Sequence, residues 1–369
     1  MKESSIVILS YHSVRVPFPS AHSLYTVQTS LDLSRIGEVY FYANRGDDSA
    51  DFRTLYGADL TDVSSFHLRI TRLKHKGLAG IEKRIAVLKD ICRVGDRKKI
   101  VYVTQARPLH FFLFLKKMGV KIRILVEPHS ETEAWSKSDF ETVDGIIFTS
   151  GTLQRRLTER YFISPEIPQT VFYHRVRSSL SDKLSIRKST DGNYCIGYIG
   201  GLEEWKGVNT IIEALRYLPE NVTAHFIGGE TRGQSYLLSR ANELGIEKRL
   251  RFTGRVQQEA LIKESQDIDA FILPLLQSEH GSLPMKLFDY MYLGKPIIAA
   301  SQESVKEILS DRSALFFPAG SDRDLAERIK TLINNPSLGI DLSENAYNAL
   351  KSYTADKWMV GMEQFLRNI

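Results

Sequence analysis

The chain has 369 residues, 43% hydrophobic and 25% charged, with 49 Lys and Arg against 44 Asp and Glu and a formal net charge of +5. That profile excludes a wholly disordered chain, and at about 100–200 residues per domain the length predicts two domains with separate cores. The two cysteines, Cys92 and Cys195, exclude a disulfide framework and a cysteine-rich zinc site, and they fit a reducing compartment.

The first apolar run, Ile6 to Leu9, is far below the roughly 18 apolar residues of a membrane span and is not a signal peptide. The longest apolar cluster, Phe111 to Leu115, is closed by Lys116 and Lys117. A cytoplasmic protein is expected, with peripheral contact at the inner face of the membrane left open. In the first half, β-branched or apolar runs predict strands over Ile6–Ser10, Val39–Tyr42, Phe66–Ile70, Ile100–Thr104, Ile122–Val126, Gly145–Thr149 and Thr170–Tyr173.

Between the third and fourth of these, residues 69–99 hold 11 basic and 3 acidic side chains. Leu78, Ile81, Ile85, Leu88 and Ile91 recur there at helical spacing, which predicts an amphipathic basic helix. Two readings stay open: a solvated helix face, or a surface for anionic lipid headgroups or an anionic acceptor. Nucleic acid is not expected, because no stacking aromatics punctuate the patch. Residues 1–176 carry a balance of +7 and the remainder −2, so the basic excess belongs to the first half.

The second half repeats the alternation, with strands predicted over Tyr194–Ile199, Thr223–Ile227, Leu250–Thr253, Ala270–Leu273, Pro296–Ala299 and Ala314–Phe316. Strands alternating with helical-period segments imply parallel sheets, and two such series imply two doubly wound α/β domains. The expected divisions are a first domain over 1–177, a linker over 178–193, a second domain over 194–352 and a terminal helix over 353–369. That helix carries Met362, Phe365 and Leu366 and is expected to pack on something, with a return to the first domain as one option.

In open parallel sheets ligands bind at the carboxyl ends of the strands, so the chemistry is sought in strand-to-helix loops. One such loop runs from Gly197 through Gly200 and Gly201 to Lys206-Gly207-Val208, leading into a helix predicted over Thr210–Tyr217. Its glycines allow close backbone approach, and Lys206 adds a positive charge for an anion. It matches neither a dinucleotide fingerprint nor a P-loop. A second loop runs from Pro274 to Met291, with Gly294-Lys295-Pro296 beyond it. Ser282 is expected to cap a helix with Pro284 in its first turn, leaving the amides of Gly281, Ser282 and Leu283 to face an anion. Asp289 would then lie about two turns in, on a largely apolar helix, where a carboxylate needs a partner: an ion pair or a ligand's hydroxyls.

These segments, in order with Arg251-Phe252-Thr253-Gly254-Arg255-Val256 between them, resemble the retaining GT-B glycosyltransferases of family 4, which transfer sugars from nucleotide-sugar donors. A weaker match in the first half covers Pro17 to Gly37 and Glu127-Pro128-His129. The resemblance implies two Rossmann-like domains facing across a cleft, the first binding acceptor and the second binding donor. It implies that Lys206 neutralises the donor diphosphate, that the Gly281–Leu283 amides bind its phosphates or the adjacent sugar, and that Asp289 grips the ribose. The loop around Arg255 and Val256 would contact the base, and Gly200, Gly201 and Glu279 complete the donor set.

His129 matches a histidine that faces the transferred sugar, and with Lys206 it is the implied catalytic residue. His12, Arg15, Ser20 and His22 are candidates for an acceptor or phosphate loop. The chain departs from the family in three places: Asp289 stands where Glu is usual, Gly281 where the first Glu of the Glu-x7-Glu pattern falls, and Gly201 where many members have Arg. Either another basic residue, such as Arg15 or Arg255, then supplies the second charge, or donor binding is weakened.

The implied activity is metal-independent, retaining transfer of hexosyltransferase type to a glycan or lipid-linked acceptor, in cell-surface polysaccharide or glycoconjugate synthesis. No cofactor and no metal are expected. The rival readings are a nucleotide-sugar 2-epimerase of the same fold and a degenerate binding protein without transfer.

Overall fold

The computed structural model describes residues 6–18, 20–47, 52–56, 63–73, 76–176, 192–256, 258–276 and 283–369. Most of the linker expected over 178–193 lies outside them. The chain forms two compact units, Met1–Tyr173 with Ala355–Ile369, and His174–Thr354.

Among the described residues the first unit holds seven strands: β1 Ile6–Val16, β2 Glu38–Arg45, β3 Phe66–Ile70, β4 Lys98–Val103, β5 Arg123–Val126, β6 Gly145–Phe148 and β7 Gln169–Val171. They form one parallel sheet in the order β3-β2-β1-β4-β5-β6-β7. Strand β1 runs past Ser10, where the apolar pattern ends, because the polar side chains of Ser10 and His12 are bonded inside the unit.

Alternation along β1 sends Val7, Leu9 and Tyr11 into one core cluster and Ile6 and Ile8 into another. The first cluster is covered by Leu109, Phe112 and Leu115 of the helix Ala106–Lys117. The second is covered by Val27 and Leu33 of the helix Ala21–Leu33 and by Trp358, Met362 and Leu366 of the helix Ala355–Asn368. The terminal helix is therefore a core element of the first unit. Burying an apolar side chain of this size contributes about 1.5–3 kcal/mol.

The basic segment folds as the helix Lys76–Arg93, and much of its charge is structural. Buried Lys83 donates to the His12 carbonyl at 2.8 Å. Arg69 pairs with Asp90 at 3.1 Å, Arg97 pairs with Glu38, and Lys98 donates to the Leu366 carbonyl at 3.0 Å. Buried Lys99 is bonded to the carbonyls of Gly95 and Arg97. The helix packs by Ala79, Lys83, Val87 and Asp90, whereas Leu78, Ile81, Ile85 and Leu88 are exposed. Among the described residues, no helix is long and apolar enough to cross a membrane.

The second unit's described strands are β8 Tyr194–Ile199, β9 Val222–Ile227, β10 Leu250–Gly254, β11 Ala270–Leu273, β12 Ile297–Ala300 and β13 Leu315–Phe317. They are parallel, in the order β10-β9-β8-β11-β12-β13. Strands β11 and β12 are apolar and buried throughout, as strands covered on both faces must be. In each sheet the strand order reverses beside the first strand, between β1 and β4 and between β8 and β11. Those reversals are where an open α/β sheet leaves a crevice for ligand.

Candidate active site

At the β8–β11 reversal, the chain leaves β8 through Gly200, whose φ is +134°, and Gly201. A short 3-10 turn, Glu204–Lys206, follows, and then the helix Val208–Leu215. Gly207 joins the two with φ +75°, and a Cβ there would lie 1.8 Å from the Pro274 carbonyl oxygen. No other residue fits between this loop and the end of β11. Lys206 Nζ pairs with Glu203 Oε2 at 2.6 Å. A Cβ on Gly201 would lie 2.5 Å from that Nζ, so the ion-paired side chains would have to swing aside for any larger residue at position 201.

A second lysine reaches the same turn from the helix Lys286–Leu293. Lys286 Nζ donates to the Tyr198 hydroxyl at 2.6 Å and stands 4.0 Å from the centroid of that ring. A Cβ on Gly200 would lie 2.9 Å from it. Burial pushes the Lys286 ammonium well below the ordinary lysine range; Lys206 pushes the same way, and Glu203 and Asp289 oppose. Tyr198 donates in turn to the Gly201 carbonyl at 2.8 Å.

Beside this turn the second unit places Lys286, which is not among the residues expected to bring the second charge, Arg15 and Arg255. The Arg15 guanidinium lies in the first unit, 4.0 Å over the Phe18 ring, and Arg255 pairs with Glu230 at 2.8 Å beside half-buried Val256. Sequence reasoning passed over Lys286, although a lysine among Met285, Leu287 and Phe288 is out of place on an apolar helix and was a signal.

The helix itself begins later than expected. It starts at Lys286, and Pro284 precedes it, its carbonyl accepting from the Leu287 amide at 3.1 Å. The Leu283 amide therefore lies before the first turn. Asp289 lies in that turn, where a carboxylate complements the helix dipole, and not two turns in. Glu279, Gly281 and Ser282 lie outside the described residues. Tyr290 fixes the helix to the sheet: its hydroxyl accepts from the Ile199 amide at 2.9 Å and donates to the Ile272 carbonyl at 3.2 Å, and its ring stacks on Phe271.

In the first unit the β1–β4 reversal gathers three of the predicted histidines. His12, fully buried, is bonded through Nε2 to Ser10 at 2.7 Å and through Nδ1 to Thr104 at 3.1 Å. Ser10 is bonded to Ser30 at 2.7 Å. Thr104 is also 3.2 Å from His22 Nε2, and the His22 ring centroid is 5.2 Å from that of His129. His129 Nε2 donates to Glu127 Oε1 at 2.7 Å, which also accepts from the Tyr25 hydroxyl at 2.6 Å, while Tyr102 donates to Oε2.

Burial alone would raise the Glu127 carboxyl, but the bonds from His129, Tyr102 and Tyr25 hold it below the usual glutamate range. Burial lowers His22 to about 4, with His129 adding and Glu127 opposing. Ser20 does something different, capping the helix Ala21–Leu33 by accepting from the Ser23 amide at 3.1 Å. The supporting shell of Thr104, Glu127, Tyr25 and Tyr102 went unread as site residues, though Glu127 and His129 stand together just past β5.

Residues 182–349 match the family described as Glycosyl transferases group 1. The chain is 25% identical over 220 residues to an uncharacterized glycosyltransferase of Methanocaldococcus jannaschii, a match covering 58% of this chain and 55% of that protein. It thus spans about half the length of that curated relative. Anabaena HepE, in a complex with UDP and glucose, superposes with a TM-score of 0.74 at 18% identity over the whole of both chains. Sucrose-phosphate synthase from Thermosynechococcus elongatus superposes at 0.78 with 14% identity over 98% of each chain. Both units are Rossmann-like parallel-sheet domains as in these structures, so the chain has a GT-B fold whose residues 182–349 are similar to the glycosyl transferases group 1.

Proposed function

We propose that the protein is a retaining glycosyltransferase of hexosyltransferase type that moves a sugar from a nucleotide-sugar donor to a glycan or lipid-linked acceptor in cell-surface glycan synthesis. The observation that carries this reading is the convergence of Lys206 and Lys286 on the Gly200–Gly201 turn at the β8–β11 reversal. Two lysines beside a side-chain-free backbone suit a diphosphate, whose negative charge would favour the protonated form that burial opposes in Lys286.

In the transfer, the bond from the sugar's anomeric carbon to the phosphate oxygen breaks and its electron pair leaves with the nucleoside diphosphate. The acceptor oxygen bonds to the same face of the carbon, and its proton passes to the departing phosphate. Lys206 and Lys286 stabilise the charge that grows on that phosphate, which is preorganised electrostatic catalysis. With these two charges supplied by the chain, transfer without a metal is the proposed chemistry. Asp289 is proposed to accept from the ribose hydroxyls, Arg255 and Val256 to border the base, and His129 to serve the transferred sugar.

The test begins with thermal shifts against UDP, GDP and ADP, since a ligand that binds the folded state raises its melting temperature. UDP comes first because HepE is described with UDP and with UDP-glucose. Donor-dependent release of the matching nucleoside diphosphate is then followed in Lys206→Ala and Lys286→Ala. Losing a charged hydrogen bond of about 1.5–3 kcal/mol should slow release about 10- to 100-fold. Wild-type rates in both variants would overturn the assignment, and epimerised donor with no transfer would point to a 2-epimerase.

A further inference from the structure

We propose that the outer face of the helix Lys76–Arg93 docks on a bilayer carrying anionic lipids. This stands independently of the donor site, since no residue of that site takes part.

Four branched apolar side chains face outward in a single stripe: Leu78 is 50% exposed, Ile81 53%, Ile85 49% and Leu88 40%. Their spacings of three, four and three residues put them on one side of a helix. The helix packs by the opposite side, through Ala79, Lys83, Val87 and Asp90. A contiguous apolar stripe that the protein leaves uncovered marks an interaction surface rather than a core face.

The charge around the stripe selects the partner. Exposed Arg84, Lys89 and Arg93 flank it. Both acids of the helix are turned to internal work. Glu82 accepts from the backbone amides of Arg72 and Leu73 at 2.9 and 3.1 Å, and Asp90 binds Arg69 and the Tyr42 hydroxyl. The outward side of this helix therefore combines leucine, isoleucine and Cys92 with the exposed cations Arg84, Lys89 and Arg93, and with Glu82 half-buried at one edge, a net basic apolar face of the kind that lies in a membrane interface.

A soluble polyanion would engage the cations and leave the apolar stripe in water. A second copy of the chain, seated face to face, would set Lys89 and Arg93 against like charges. An anionic bilayer meets both halves, with the arginine and lysine heads at phosphate level and the apolar stripe below them.

The experiment is cosedimentation of the full chain with vesicles of phosphatidylcholine alone and of phosphatidylcholine mixed with phosphatidylglycerol, at low and high salt. The mixed vesicles should bind the protein, and salt should weaken that binding. The pair Ile81→Gln and Ile85→Gln should reduce it by about tenfold or more, and the pair Lys89→Glu and Arg93→Glu should abolish it. Melting temperatures should stay at the wild-type value, because these side chains point away from the core.

Three results would overturn the proposal: no binding to the mixed vesicles, binding that the isoleucine pair leaves unchanged, or a wild-type dimer that the isoleucine pair converts to monomer. A clear fall in the melting temperature of the isoleucine pair would also count against it, since the stripe would then be packed rather than free.

Discussion

Glu127 and His129 are joined by a bond of 2.7 Å from the imidazole Nε2 to the carboxylate, and the carboxylate is buried while the histidine keeps an open edge. The pairing orients the ring and leaves Nδ1 as the nitrogen available to a ligand. Glu127 also binds Tyr25 and Tyr102, so it is a keystone of fold and site together. Glu127→Ala is expected to destabilise by about 1–3 kcal/mol through the lost hydrogen bonds to the buried carboxylate, read from urea unfolding. An unchanged midpoint would show that the shell does not depend on it.

The buried histidines set a pH dependence of stability. His22 is lowered to about 4 from an ordinary 6.5, and His12 is lowered well below that value, in both cases by burial first. Between those values the unfolded chain binds more protons than the folded one, so stability rises with pH across this window and is lost as pH falls from about 6.5 toward about 4. The urea midpoint should drop on going from pH 7 to pH 4.5, and His22→Asn should flatten the slope. A slope unaffected by the substitution would place the titrating group elsewhere.

Gly207 combines φ +75° with contact against the Pro274 carbonyl, where a Cβ would stand at 1.8 Å. Gly207→Ala should therefore force the loop off the end of β11. The expected loss exceeds about 1 kcal/mol, and the thermal shift produced by nucleotide should shrink with it. Retention of both quantities would mean the loop has slack that this geometry denies.

Met362 is fully buried in the core of the first unit. Met362→Ala should destabilise by about 2–5 kcal/mol in denaturant unfolding, like other large-to-small core changes. Val360→Ala, at an exposed position of the same helix, should be near neutral and serves as the comparison.

Much of this architecture is legible in the residues themselves. Runs such as Phe66–Ile70, Tyr194–Ile199 and Ala270–Leu273 are strands from end to end as their apolar content predicts. The histidines that motif reasoning singled out, His12, His22 and His129, do come together. Less legible was anything that depends on a distant partner. Ser10 and His12 read as the end of β1 until Thr104 and Ser30 are seen to satisfy them. Lys286 looks like one more cation until Tyr198 and Gly200 are beside it. The period of Leu78, Ile81, Ile85 and Leu88 predicts a helix but not which way the stripe faces, because Ala79 and Val87 hold the buried side with few atoms.

The helix Ala355–Asn368 closes the core of the first unit from the far end of that unit's sequence. During synthesis the first sheet consequently emerges with one face covered only in part, by the helix Ala21–Leu33, and Trp358, Met362 and Leu366 reach it only after every residue of the second unit has been made. The second unit is continuous in sequence and has its full complement earlier. On the ribosome the usual order of N-terminal before C-terminal completion is thus inverted, and the first unit passes through a stage in which its apolar face needs protection by other means.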